Sequence, residues 1–307
     1  MERTGDCGPP LHHNVRPQSV SYDLFFRPKS SDVSPEEFFD YFRGRAHYKV
    51  ENGQAWYQNE DTGVYFAFAH DATEENDEPH HPFSFNVNFF RPSYFILEAE
   101  PEVTALANRF AFVVSDPQAK MGDGQYVPEL LVSGWQHGNE FGYSAVLKDK
   151  EKRPDVASLP GTRLHEVWRW NFRRETLQNS VGEAQYVPRI IFLHLNGAVA
   201  TAVVWPDAIP SVLPEVDYLI IGREQLAPRT FFRKKKDTVF VEWAEAYPLI
   251  AKYNSTVKHN GAFDLNYSQC PQDIAAFVRT LVRNEPSVTG VSADQVLDRE
   301  LVQKYAV

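Results

Sequence analysis

Gln54-Ala55-Trp56-Tyr57-Gln58-Asn59-Glu60-Asp61-Thr62-Gly63-Val64-Tyr65-Phe66-Ala67-Phe68-Ala69 reads as a strand, a turn and a returning strand. The polar run 59–63 ends in a glycine, free to take positive φ just before the chain doubles back. The flanking segments 54–58 and 64–69 therefore predict a β-hairpin. Further on, Phe83, Phe85, Val87 and Phe89 alternate with Ser84, Asn86 and Asn88, a period of two that places the apolar side chains on one face of a third strand. Residues 46–90 thus predict an antiparallel meander at the heart of an α+β fold. Its second and third strands are joined by a connector, 71–78, that holds five carboxylates in eight residues.

Upstream, 22–27 predicts a strand, and residues 1–19, with three prolines and no apolar period, an arm. Ser34-Pro35-Glu36-Glu37 is a helix start: the serine caps, proline suits the first turn, and Glu37 completes a capping box. That helix presents Phe38, Phe39 and Phe42 and stops near Gly44. Downstream, 93–97 predicts an extension of the sheet, 101–110 a helix, 110–114 a strand and 116–128 a loop. Segments 129–132 and 143–147 predict strands around Gly134-Trp135-Gln136-His137-Gly138-Asn139. The charged, proline-bearing segment 148–161 lacks an apolar period and predicts a linker. It divides the chain into an acidic N-terminal α+β lobe, residues 1–150, and a C-terminal α+β lobe with terminal helices, residues 151–307. Each lobe is predicted as a largely antiparallel sheet of meander or hairpin strands with packed helices.

In the second lobe, 166–172 alternates Trp168, Trp170 and Phe172 with Arg169 and Asn171, a half-buried strand pattern. Strands 189–195 and 198–205 flank Asn196-Gly197, a strong hairpin signal, and 216–221 and 238–241 predict further strands. Helices are predicted over 242–253, with a break or kink at Pro248, over 271–281 and from a second capping box at 292–295, the last carrying Val296, Leu297 and Leu301. Residues 122–128 and 182–188 share Gln-Tyr-Val-Pro sixty positions apart. The echo fits either a duplicated lobe or a shared way into an edge strand.

Of 307 residues, 43% are hydrophobic, with 22 Phe, 14 Tyr and 6 Trp, a composition that excludes a disordered chain. No apolar run approaches the roughly 20 residues of a membrane span, the start lacks a basic-then-apolar leader, and two cysteines give no disulfide framework. These features predict a cytoplasmic protein without membrane contact. Residues 1–150 carry 12 Lys+Arg against 23 Asp+Glu, and residues 151–307 carry 19 against 18, so the whole net charge of −10 arises in the first lobe. Such a field repels nucleic acid and attracts basic partners.

Motifs for chemistry are sparse. His80-His81 abut the acidic connector, but adjacent residues on extended chain point opposite ways, and the connector lacks the spacing and glycine of a calcium loop. No metal, cofactor or nucleophile motif is present, and no catalytic residue is assigned. His137, between two glycines, and His165 are the candidate bases of an alternative reading, a hydrolase-type enzyme with an inter-lobe cleft. Arg233-Lys234-Lys235-Lys236 reads as a solvated loop, and the aromatics of 168–172 as core. The leading binding candidate is the carboxylate set Asp71, Glu74, Glu75, Asp77 and Glu78, with Glu60 and Asp61 at the neighbouring turn. Such a set suits docking onto a Lys/Arg-rich protein surface. The two groups belong to turns at opposite ends of the middle strand.

Phe42-Arg43-Gly44-Arg45, followed by the stretch 54–66, resembles proteins encoded beside toxins in bacterial polymorphic-toxin and type VI secretion loci. Segments 216–224 and 238–243 are similar to the ends of immunity proteins paired with restriction-endonuclease-like nuclease toxins. The resemblance implies a non-enzymatic cytoplasmic protein that binds and neutralises one cognate toxin. It carries over no toxin-contact residue. A non-inhibitory adaptor or scaffold is the remaining alternative.

Overall fold

A computed structural model describes residues 21–30, 32–70, 81–118, 121–149, 151, 154–227, 237–255, 261–283 and 287–306. The hairpin forms as its sequence predicts. Strands β3 (Gln54–Asn59) and β4 (Val64–His70) pair antiparallel from Asn59 opposite Val64, and Gly63 takes φ +75° at the turn. They lie within a seven-stranded sheet, with β1 (Ser21–Pro28), β2 (Tyr48–Glu51), β5 (Phe83–Asn88), β6 (Phe112–Asp116) and β7 (Met121–Gln125). The order is β2-β3-β4-β5-β1-β6-β7, every pairing is antiparallel, and β1 is inserted between β5 and β6.

One face of this sheet carries Tyr57, Phe66, Phe68, Phe83, Phe85 and Val87, all buried. Helix α1 (Pro35–Phe42) begins with the predicted capping box and covers this face with Phe38 and Phe42. Their rings stack on Phe83 and Phe68 at centroid distances of 4.2 and 5.0 Å. Helices α2 (Phe95–Phe110) and α3 (Pro128–Leu147) complete the layer. Residues 93–97 enter α2 rather than extending the sheet. The helix predicted over 101–110 begins six residues earlier, at Phe95, and Pro101 sits inside it.

The predicted strands 129–132 and 143–147 are instead parts of the single helix α3. Its buried set, Leu131, Trp135, Asn139, Tyr143 and Leu147, recurs every four residues, a helical stripe that the glycines between them disguised as a turn. Those glycines are there for close approach. A methyl group on Gly138 would overlap the Phe89 ring, and one on Gly134 would press on the Tyr22 hydroxyl. Asn139 belongs in the stripe because its Nδ2 donates to the carbonyls of Phe89 (2.5 Å) and Arg91 (2.9 Å), where the chain leaves β5. Within the predicted loop 116–128, β7 pairs with β6.

In the second half, β8 (Ala157–Leu159) lies in the predicted linker and pairs parallel with β16 (Val296–Asp298). A five-stranded sheet has the order β13-β12-β10-β9-β15. Its strands are β9 (Ile191–Leu195), β10 (Ala198–Val204), β12 (Tyr218–Arg223), β13 (Asp237–Glu242) and β15 (Val288–Val291). Asn196 and Gly197 both take positive φ at the β9–β10 turn, as a tight hairpin requires. Only β10 and β12 run parallel within this sheet. A short pair, β11 (Ser211–Leu213) and β14 (Phe263–Leu265), lies apart from it; α6 (Gln272–Thr280) forms within its predicted span, and α5 (Trp243–Tyr253) forms as one helix with Pro248 inside it.

The predicted strand 166–172 lies in α4 (Gly161–Val181). The residues that α4 buries are Leu164, Val167 and Asn171, at helical spacing; the alternating aromatics splay around it, and Phe172 is left 48% exposed. The capping box at 292–295 does not start a helix. Ser292 bonds Asp294, residues 293–295 make one 3₁₀ turn, β16 follows, and the final helix α7 (Arg299–Tyr305) begins only after it. Burial of Val296 and Leu297 beside β8 overrides the local helix signal. The two Gln-Tyr-Val-Pro segments sit in different settings: the first leads into α3 and the second into extended chain before β9. A continuous buried apolar cluster includes residues of both large sheets, among them Phe66, Phe95, Leu164, Phe192 and Val203.

Gly138→Ala should destabilise the fold by about 1–3 kcal/mol through overpacking, read as a lower urea midpoint. Combining it with Phe89→Leu should recover part of the loss, because the clash is with that ring.

Candidate functional site

The two halves meet along a polar seam built around α2 and α4. Glu98, on the buried face of α2, is almost fully enclosed. Its Oε1 accepts from the Tyr57 hydroxyl (2.7 Å), Asn59 Nδ2 (2.8 Å) and the Thr62 hydroxyl (3.1 Å), and its Oε2 from Trp168 Nε1 on α4 (2.7 Å). Burial raises its pKa, and these four donors oppose the rise.

The hairpin turn is thereby locked to the second half. Asp61 pairs with Arg174 at 2.7 Å, and the Glu60 carbonyl accepts from Arg189 at 2.8 Å. Gly63 lies so close to Ala293 that an added Cβ would sit 2.9 Å from the alanine methyl. Of the carboxylates predicted at this turn, the Glu60 side chain is exposed, whereas Asp61 is engaged internally. Asp71, Glu74, Glu75, Asp77 and Glu78 lie outside the described residues. Their connector joins the end of β4 to the start of β5, opposite the Glu60–Asp61 turn, as the strand order predicts.

A second part of the seam gathers Ser93, His165 and Asp298. The Ser93 hydroxyl donates to Asp298 Oδ1 at 2.6 Å and lies 2.8 Å from His165 Nε2. Asp298 Oδ2 accepts from the Ser93 amide (2.8 Å) and the Tyr143 hydroxyl (3.2 Å). The order is histidine, serine, carboxylate. A general base must stand between hydroxyl and acid; here the serine proton is already held by the carboxylate, and Nε2–H is left to donate to the serine oxygen. Burial lowers the His165 pKa, Asp298 opposes the fall and Arg169 adds to it, so the net shift is downward. His137, the other candidate base, is exposed on α3. The sequence held no signal for this grouping, since Ser93 and Asp298 are 205 residues apart. Beside it opens a cleft of about 340 Å³, walled by Phe90, Val156 and Leu297 and edged by Arg91, His194 and Asp294. Among the described residues, no three His, Cys, Asp or Glu side chains converge as a metal ion requires, and no helix is long and apolar enough to cross a membrane.

The third feature is the other face of the seven-stranded sheet. Lys49, Trp56, Ala67, Asn86 and Asp23 follow one another across β2, β3, β4, β5 and β1, each opposite the next in register. Trp56 is 41% exposed in this row, between the exposed Gln58 and the half-buried Gln54 of its own strand. Ala67 is buried in this row, and at the end of β4 Tyr65, on the same face, meets the Phe95 ring of α2 at 5.6 Å between centroids.

Glu98→Ala should cost roughly 3 kcal/mol or more, since buried donors lose their acceptor at about 1–3 kcal/mol each; urea unfolding measures it. His165 has a lowered folded pKa, so its contribution to stability is complete above the ordinary histidine value of 6.5 and is lost as pH falls through the folded value. His165→Gln should flatten the melting temperature over that acidic interval and leave the alkaline side unchanged. No protein-family model, curated protein or solved structure matches this chain.

Proposed function

We propose that this protein is an immunity-type binding protein that neutralises a cognate bacterial toxin, a secreted nuclease effector, by occluding it in a stoichiometric complex. The observation that carries this reading is Trp56, 41% exposed on β3 on the sheet face opposite α1. A tryptophan fixed on a rigid sheet, here flanked by Lys49, Gln54 and Gln58, is the kind of residue that dominates protein–protein affinity. A sheet of seven antiparallel strands loses little entropy on docking.

Charge supports the same surface. The face belongs to the half that carries 23 Asp+Glu against 12 Lys+Arg, and the carboxylate-rich connector 71–78 leaves one end of the same sheet. A basic nuclease surface, selected to hold nucleic acid, complements that field, and long-range attraction would speed encounter. Trp56 and the connector, rather than the internally paired Asp61, form the contact. Occlusion needs no catalytic group on this chain.

Co-expression with the toxin encoded by the adjacent gene tests the reading. The expected result is a one-to-one complex, suppressed toxicity and association that slows as salt is raised. Trp56→Ala should weaken the complex about thirtyfold or more, the scale of a 2 kcal/mol interface anchor. Changing Glu74, Glu75, Asp77 and Glu78 together to alanine should mainly slow association. An adjacent toxin that neither binds nor is suppressed would sink the proposal. Binding without suppression would leave an adaptor.

A further inference from the structure

The aromatic and basic residues of 163–173 take on a different meaning once they lie on a helix. Arg163, Arg169 and Arg173 of α4, with Trp170, line one side of a groove of about 470 Å³, and Ile190 and Pro214 wall the other. The helix places these residues on adjacent turns, at spacings of three, four and six, so that they share one side. In a chain of net charge −10, three guanidinium groups on one groove are a local inversion of sign.

The groove is partly preorganised. Arg163 is pinned: its Nη2 donates to the Thr201 hydroxyl (3.0 Å) and the Glu215 carbonyl (2.9 Å), and its Nη1 to Glu166 (3.1 Å). Arg173 Nε donates to the Arg169 carbonyl at 3.1 Å, which fixes the stem and leaves both terminal nitrogens for a ligand. Trp170 is held by its Nε1 on the Pro188 carbonyl at 2.8 Å. Among the described residues the Arg169 guanidinium makes no hydrogen bond or ion pair.

Charge sets the size of the ligand. Glu166 and Glu215 also line the groove, so its three cations exceed its acids by one. That balance favours a compact anion, gripped by the guanidinium forks one turn apart, over a polyanion that would meet two carboxylates along its path. The walls of Trp170, Ile190 and Pro214 offer apolar contact to a body attached to the anion, and the volume falls in the range of small-molecule sites.

We propose that the α4 groove binds a small organic phosphate monoester, its phosphate on Arg169 and Arg173 and its apolar or planar body against Trp170, Ile190 and Pro214. The site lies on the second half and does not depend on the toxin-binding reading.

Calorimetric titration of the full chain with phenyl phosphate and, separately, inorganic phosphate tests it. Phenyl phosphate should bind, and more tightly than inorganic phosphate. Arg169→Ala combined with Arg173→Ala should weaken it at least tenfold with the thermal midpoint kept. Arg169→Lys with Arg173→Lys should fall between, because charge stays and the fork is lost. The proposal is overturned by an absence of binding at millimolar phenyl phosphate or by equal affinity in the double alanine variant. Equal affinity for inorganic phosphate would remove the apolar walls from the site. A single-stranded oligonucleotide held by the same two arginines more tightly than phenyl phosphate would overturn the small-ligand assignment.

Discussion

Four neutral donors from three segments converge on the Glu98 carboxylate: Tyr57 and Asn59 at the end of β3, Thr62 in the turn, and Trp168 across the seam on α4. A carboxylate this enclosed loses most of its hydration, a penalty of several kcal/mol unless its lone pairs are filled. Among the described residues no arginine or lysine does the filling; hydroxyl, amide and indole groups do. Position therefore matters more than charge. Each donor belongs to an element that must already be in place, so the acid is satisfied only when hairpin, α2 and α4 are docked together. The contacts around it follow from that alignment: Arg174 reaches Asp61, Arg189 reaches the Glu60 carbonyl, and Ala293 closes over Gly63.

The seven-stranded sheet is asymmetric for a similar reason. Its aromatic face is closed by α1, α2 and α3, and α3 can lie flat only because Gly134, Gly138 and Gly142 remove side chains where Tyr22 and Phe89 stand. With most of its large apolar residues on that face, the sheet presents on the other a mixed surface that includes Lys49, Trp56, Ala67, Asn86 and Asp23, with Phe25 and Tyr65 half-buried.

The hairpin, the third strand, the capping box of α1 and the Asn196-Gly197 turn were legible because each is decided within a few residues by alternation or turn chemistry. Segments 129–147 and 166–172 were not. Glycines at 134 and 138 mean a turn locally and close packing globally, and only Phe89 and Tyr22, far away in sequence, decide between the two. Trp168 and Trp170 alternate as strand residues do, yet their indoles are drawn to Glu98 and the Pro188 carbonyl on different sides of a helix. For the sites, residue type was visible and convergence was not. The carboxylates of the turn could be read, but not that Arg174 would claim Asp61; Ser93 and Asp298 carried no motif that would pair them. The row through Trp56 needed the register of five strands, which no single stretch encodes.

Asp298 has a consequence for how the chain is made. It accepts from the Ser93 amide and hydroxyl and from Tyr143, and α7 beyond it packs on α3, where Lys304 and Tyr305 both reach Glu140. During synthesis Tyr143 waits for a residue made 155 positions later, and Ser93 for the same residue 205 positions later. At a typical elongation rate that delay is on the order of ten to forty seconds. Until then Tyr143 and the Ser93 amide face water, and the end of α3 lacks its cover. The seven-stranded sheet can pair early from local contacts, but α3, which packs on it, gains its own cover from α7 only when translation has passed Asp298. Pausing or premature termination before that point would release a chain with its aromatic core formed and its seam open, a species suited to chaperones and proteases rather than to function.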